Sequence, residues 1–278
     1  MMKDTCIHSI IIYSKKNKMK IFLYATLVVA SIISVASCKK TANENPAPIS
    51  TGQFRVEFEH VVGANMLEFN TANTQYTNNV SETFNVTMLK YYVSNVVLTK
   101  SDNIEYTLPN SYNLVNASSP ETAVLSFNNI PLGNYKSIKF LLGVDSTQNV
   151  SGSQKGALDP ANGMFWDLNN GYVFLKLEGT SPQSTAADNF IAYHVGGFRN
   201  TNNTNALKTI ELSFETAVLK VGTVGNPQVH ISVDVSQILK TPTDISFATS
   251  PTCHMPGELA KSIANNYADM FSFEHIHN

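Results

Sequence analysis

Apolar residues at every second position leave a chain few options, because such a run buries one face only by lying in a sheet packed against another layer. In "QFRVEFEHV", Phe54, Val56, Phe58 and His60 share one face, and Arg55, Glu57 and Glu59 share the other. In "KTIELSFETAVL", Ile210, Leu212, Phe214 and Val218 oppose Glu211, Ser213 and Glu215. Similar patterning predicts strands over 84–99, 104–107, 122–127, 135–144, 171–178, 190–195 and 228–235. Turn residues punctuate them at Asn128-Asn129, Pro131 to Gly133, Asn169 to Gly171, Gly196-Gly197 and Gly225 to Pro227. The expected fold is all-β: a β-sandwich, Ig-like in general architecture, with long polar loops. One short C-terminal helix is expected in "PGELAKSIANNYADMF", where Leu259, Ile263, Tyr267 and Met270 fall on one face.

The N-terminus reads as a secretory leader. Lys15, Lys16, Lys18 and Lys20 precede or open a short apolar run ending in "VASC", which resembles a bacterial lipobox with Cys38 as the lipidated residue. Residues 1–37 are then the signal peptide, with Met19 a possible true start, and 38–52 are the lipidated cysteine and a flexible tether. The folded domain is expected over 53–278, held at the bacterial cell envelope by its acyl chains. Of the three cysteines, only Cys253 belongs to that domain, so it has no partner for an intrachain disulfide. A net charge of −2 with only 14% charged residues supplies no basic patch for nucleic acid.

Nucleophile elbow, phosphate loop, metalloprotease and Cys-x-x-Cys signatures are all lacking, so a non-enzymatic protein is expected. The seven histidines carry more information. His60 ends an apolar face, which suits either a ligand or a core imidazole bonded internally. His194 closes the strand "NFIAYH" just before Gly196-Gly197, where another group can approach the backbone closely. His275 and His277 point the same way if the tail "FSFEHIHN" is extended, and two such imidazoles can share a metal. His230 alternates with Val229, Ile231 and Val233 and is expected to face solvent. Cys253, His254 and Met255 are consecutive soft or borderline donors, but adjacent residues rarely all reach one ion. The one tryptophan, Trp166, stands in a polar turn instead of an apolar strand.

Several segments together resemble the MbnP family of periplasmic copper-binding proteins: "HVVGANML", "VTMLKYYVSNVVL", "YHVGGF" and the long string from "IPLGNY" through "GALDPANGMFWDLNNGYVFLKLEG". The resemblance implies a copper-binding β-sandwich and a di-haem cytochrome c peroxidase-like partner that oxidises a tryptophan to kynurenine. Trp166 occupies the matching "GMFW" position, and Leu168 stands where many relatives carry a second tryptophan. Copper is then expected at His60 and His194 with Trp166 nearby, His275 or His277 next in line, and Met164 as a thioether donor. An alternative is a surface adhesin or glycan-binding module, with Asp145, Asp159, Asp167 and Asn169 offering oxygen ligands to calcium.

Overall fold

A computed structural model describes residues 50–70, 75–152, 154–199 and 205–278. The leader over 1–37, Cys38 and the tether as far as residue 49 lie outside the described residues. In chain order the strands are β1 (Thr51–Val62), β2 (Asn65–Met66), β3 (Tyr76–Thr77), β4 (Thr83–Lys100), β5 (Glu105–Thr107), β6 (Tyr112–Asn116), β7 (Val124–Pro131) and β8 (Gly133–Leu142). They continue with β9 (Phe165–Asp167), β10 (Gly171–Thr180), β11 (Phe190–Gly196), β12 (Lys208–Ser213), β13 (Leu219–Val221), β14 (Gln228–Asp234), β15 (Thr252–Cys253) and β16 (Phe271–His277). The helices among these residues are α1 (Pro120–Ala123), α2 (Ser146–Asn149) and α3 (Glu258–Tyr267), the last being the C-terminal helix expected from its apolar face.

The strands form the expected all-β sandwich. Among the described residues one sheet has five strands, ordered β16-β14-β1-β2, with β7 pairing the first half of β1 along the same edge as β2. The second has eleven, built on the path β12-β8-β4-β10-β11-β15. Alternation decides which side chains meet between them. Phe58 of β1 sets its ring edge-on to Tyr91 of β4 at 6.0 Å and Phe140 of β8 at 6.3 Å, and Phe271 of β16 closes the cluster at 5.1 Å from Phe140. Edge-to-face pairs of this kind add to the burial of their large apolar surfaces.

One expected strand is broken. "KTIELSFETAVL" pairs with β8 as β12 only to Ser213, turns through Glu215 at φ 55°, and resumes as β13. Phe214 is nonetheless fully buried at the turn. Two polar residues fix the segment leading from β14 to β15. Buried Glu82 accepts hydrogen bonds from the Phe247 and Ala248 amides and the Ser246 hydroxyl. Fully buried Asn266 of α3 donates to the carbonyls of Ile238 and Thr243 and accepts from the Thr243 amide. These bonds satisfy backbone groups that burial would otherwise strand, and they deliver the chain to β15 beside β11.

His60 belongs to the core. It is 8% exposed, and its Nε2 lies 3.0 Å from the Tyr91 hydroxyl across the sandwich. Burial lowers its pKa from 6.5 to about 4, so the imidazole folds neutral. Between those values the unfolded chain takes a proton that the folded chain refuses, so stability falls as pH drops from 6.5 towards 4. The loss reaches about 3 kcal/mol below pH 4. Urea denaturation at pH 7 and pH 4.5 should show wild type losing roughly 2 kcal/mol more than His60→Phe over that interval. Parallel profiles for the two proteins would contradict a neutral core role.

Candidate metal centre beside the tryptophan

Trp166 lies in β9, the outer arm of a tight hairpin with β10. The Asp167 carboxylate builds the turn by accepting from the Asn169 amide at 2.7 Å and the Asn170 amide at 2.8 Å. At Gly171, φ is +75° and a Cβ would stand 2.1 Å from Asn149 Oδ1, which itself accepts from the Tyr172 amide at 2.8 Å. The polar turn that surrounds the tryptophan in sequence is therefore the support of its hairpin.

The indole packs over Gly196 of β11. A Cβ on Gly196 would lie 2.7 Å from Trp166 Cζ3 and 2.5 Å from the Tyr172 carbonyl oxygen, so only glycine admits the ring. Trp166 is partly exposed, while Leu168, two residues on, is 63% exposed in the hairpin turn.

Along β11, Tyr193 and Val195 point into the core and are fully buried, which turns His194 to the outer face. His194 pairs there with Lys176 of β10. Its Nε2 is 2.7 Å from Glu178 Oε1, so the carboxylate holds the Nε2 proton and leaves Nδ1 with its lone pair. That Nδ1 faces His254 Nδ1 at 3.4 Å. His254 arrives through the parallel pairing of β15 with β11, in which Ala192 matches Thr252 and Tyr193 matches Cys253. The His194 pKa is lowered, chiefly by burial and further by Lys176 and His254, against the opposing pull of Glu178. A neutral imidazole with a fixed tautomer is the form a metal binds.

The nitrogen pair fits a tetrahedral ion. At the 2.0–2.1 Å typical of metal–imidazole bonds, nitrogens 3.4 Å apart subtend about 110° at a shared ion.

The expected ligand set is only partly assembled. His60 and His194 do not converge. Tyr91, the partner of His60, pairs with Leu175 on the core face of the eleven-stranded sheet, whereas His194 pairs with Lys176 on the outer face. Met164 is fully buried in the core cluster. Within the Cys253-His254-Met255 triplet, Cys253 turns inward and burial pushes its thiol up to about 11, while His254 meets His194. Adjacency argues against the three donors acting together, but the strand parity of His254, opposite to that of the inward-facing Cys253, puts it on the same outer face as His194.

His275 and His277 lie on the other sheet, and His230 lies with them. His230 was expected to face solvent, yet it is 8% exposed beneath the C-terminal strand. The calcium donors do not gather. Asp145 caps α2 by accepting from the Thr147 amide at 2.9 Å, Asp159 caps the turn at 160–162 by accepting from the Ala161 amide at 2.8 Å, and Asp167 holds its own hairpin. Among the described residues the only group of three or more metal-ligating side chains is His230, His275 and His277.

The family model MbnP matches residues 51–255. Among solved structures, MbnP from Methylosinus trichosporium is similar at 14% identity and a TM-score of 0.48, covering 70% of this chain and 79% of that one. No curated protein matches.

The single tryptophan makes its own seat testable. Gly196→Ala should displace the indole, shift its fluorescence emission and cost about 1–3 kcal/mol in urea denaturation. An unchanged emission spectrum would mean the ring does not rest on Gly196.

Proposed function

This chain belongs to the MbnP family, whose associations are with methanobactin and copper, and from that premise we propose that it binds copper without catalysing a reaction itself. His194 and His254 hold the ion through their Nδ1 atoms. The supporting observation is their 3.4 Å approach on the outer sheet face, with Glu178 fixing the tautomer of His194. Imidazole donors suit copper in this setting, and the neutral state of His194 spares the ion competition with a proton.

Trp166 is the third participant. A di-haem cytochrome c peroxidase-like partner oxidises its partly exposed indole to kynurenine. With peroxide as the partner's oxidant, the indole C2–C3 bond breaks and C2 leaves as formate, so that one carbon is exchanged for one oxygen and an aniline nitrogen and a carbonyl appear, two donors where the indole offered none. Gly196 and His194 lie two residues apart on one face of β11, which brings the modified ring towards the histidine pair. The exposed Leu168 leaves the hairpin turn open to a docking partner.

The leader and "VASC" support lipid anchoring through Cys38 at the cell envelope. Wild-type protein expressed in a bacterial host should partition into detergent, and Cys38→Ala should move to the aqueous phase. Equal partitioning of the two would remove the anchor.

Copper titration read by Trp166 fluorescence tests the site directly. Copper should quench the emission, with His194→Ala and His254→Ala each weakening the apparent affinity at least tenfold and Glu178→Gln by about 10–100-fold. Coexpression with the di-haem partner should give the mass change of one carbon exchanged for one oxygen, absent in Trp166→Phe. Quenching that persists unaltered in His194→Ala/His254→Ala would overturn the assignment. A glycan-binding alternative has less support, because its carboxylates are engaged in separate turns.

A further inference from the structure

We infer that His230, His275 and His277 form a second metal site, distinct from the histidine pair beside Trp166, for a divalent first-row ion of the Zn²⁺ or Cu²⁺ type. It lies on the outer face of the five-stranded sheet, at the edge where β16 ends that sheet.

The device that builds it is a β-bulge. Phe271 and Phe273 of β16 pair with Val233 and Ile231 of β14, on the core side. Continued alternation would turn His275 and His277 inward as well. Instead the register shifts between His230 and Ile231, so Ile231 faces Phe273 while His230 faces His275, and Glu274 is the extra residue. The shift puts Ile276 opposite fully buried Val229 and sends His275 and His277 to the face carrying His230. Bulges commonly re-aim side chains in this way.

The three imidazoles then converge, one ligand nitrogen from each lying within 4.8 Å of the others. His230 stacks on His275 with ring centroids 4.3 Å apart, and His277 stands edge-on to both at 5.0 and 4.7 Å. His275 Nε2 and His277 Nε2 are 3.1 Å apart, which corresponds to about 100° at an ion 2.0–2.1 Å from each.

The surroundings favour a cation. β1 runs parallel to β14 and sets Glu57 opposite His230. Glu59 Oε1 accepts from His230 Nδ1 at 2.7 Å, and Glu57 Oε2 lies 3.7 Å from the same nitrogen. The Nε2 of His230 therefore keeps its lone pair, which meets the Gln228 side-chain amide at 3.1 Å. Gln228 also donates to Glu57, so it has a partner to retain when it releases His230 to an ion. Three imidazoles with carboxylates behind one of them, and no thiolate or thioether, suit Zn²⁺ or Cu²⁺ better than Cu⁺.

Full-length protein without a polyhistidine tag should be titrated with Zn²⁺ by calorimetry and with Co²⁺ by visible absorption. Wild type should give the intense d–d bands of a four-coordinate, nitrogen-rich site. His275→Ala and His277→Ala, both at exposed positions, should each weaken Zn²⁺ binding at least tenfold, and Glu59→Gln by about 10–100-fold. The Zn²⁺-induced rise in melting temperature should shrink in the His275→Ala/His277→Ala double variant. His194→Ala/His254→Ala should retain this equivalent of Zn²⁺, which separates failure here from failure of the site beside Trp166. A Zn²⁺ isotherm and Co²⁺ spectrum unchanged in the His275→Ala/His277→Ala double variant would overturn the site.

Discussion

Each main strand has one face in a shared aromatic core and one face outside it, and this parity governs what every histidine can do. Phe58, Tyr91, Phe140 and Phe271 close the space between the sheets. Any polar side chain on an inner face must find a partner there or lose its hydration without compensation. His60 meets that demand by bonding to Tyr91 and staying neutral. His194, His230 and His254 have the opposite parity, and each meets another imidazole on an outer face. The histidine groups thus lie on the two outer surfaces of the sandwich and not in its core.

Much of this parity was legible in the sequence. "QFRVEFEHV" placed His60 with Phe54, Val56 and Phe58, and the structure keeps it there. "VHISVDV" placed His230 opposite its apolar neighbours, which is also correct. The inference from outer face to solvent failed because it ignored what a neighbouring strand brings. β16 lays His275 and His277 over His230, and that pairing follows from the fold of the whole chain. The meeting of His194 with His254 depends likewise on a parallel ladder between β11 and β15. A local pattern fixes which way a side chain points, but the partner across the ladder comes from tertiary packing.

Irregularities were the least legible features and carry much of the site geometry. The bulge at Glu274 inverts the parity of the last strand, although "FSFEHIHN" reads as unbroken alternation. The turn at Glu215 divides an equally regular run. Trp166 shows the reverse case. Its polar, Gly-rich surroundings read as a turn, and Asp167 and Gly171 build that turn into a hairpin whose outer arm lays the ring on a bare stretch of β11. The absent Cβ at Gly196 is the complement of the ring, so the Gly196-Gly197 pair in "YHVGGF" and the tryptophan of "GMFW" form one structural unit thirty residues apart.

The two histidine groups differ in how they are held, and that difference bears on what they can exchange. His194 is gripped by Glu178 and partly buried, while His254 leaves the edge strand β15 and is exposed. If the pair holds an ion as proposed, the remaining coordination positions fall to a third group, and Trp166, seated over Gly196 two residues along β11 from His194, is the candidate. At the other group it is the inner member, His230, that carboxylates hold, and both outer members ride on the terminal strand. An ion there would tie β16 to β14, so its binding energy would be spent on closing the edge of the five-stranded sheet. An ion held by His194 and His254 would join strands β11 and β15, which the Ala192–Thr252 and Tyr193–Cys253 pairs already hold in register, and would contribute less to the fold.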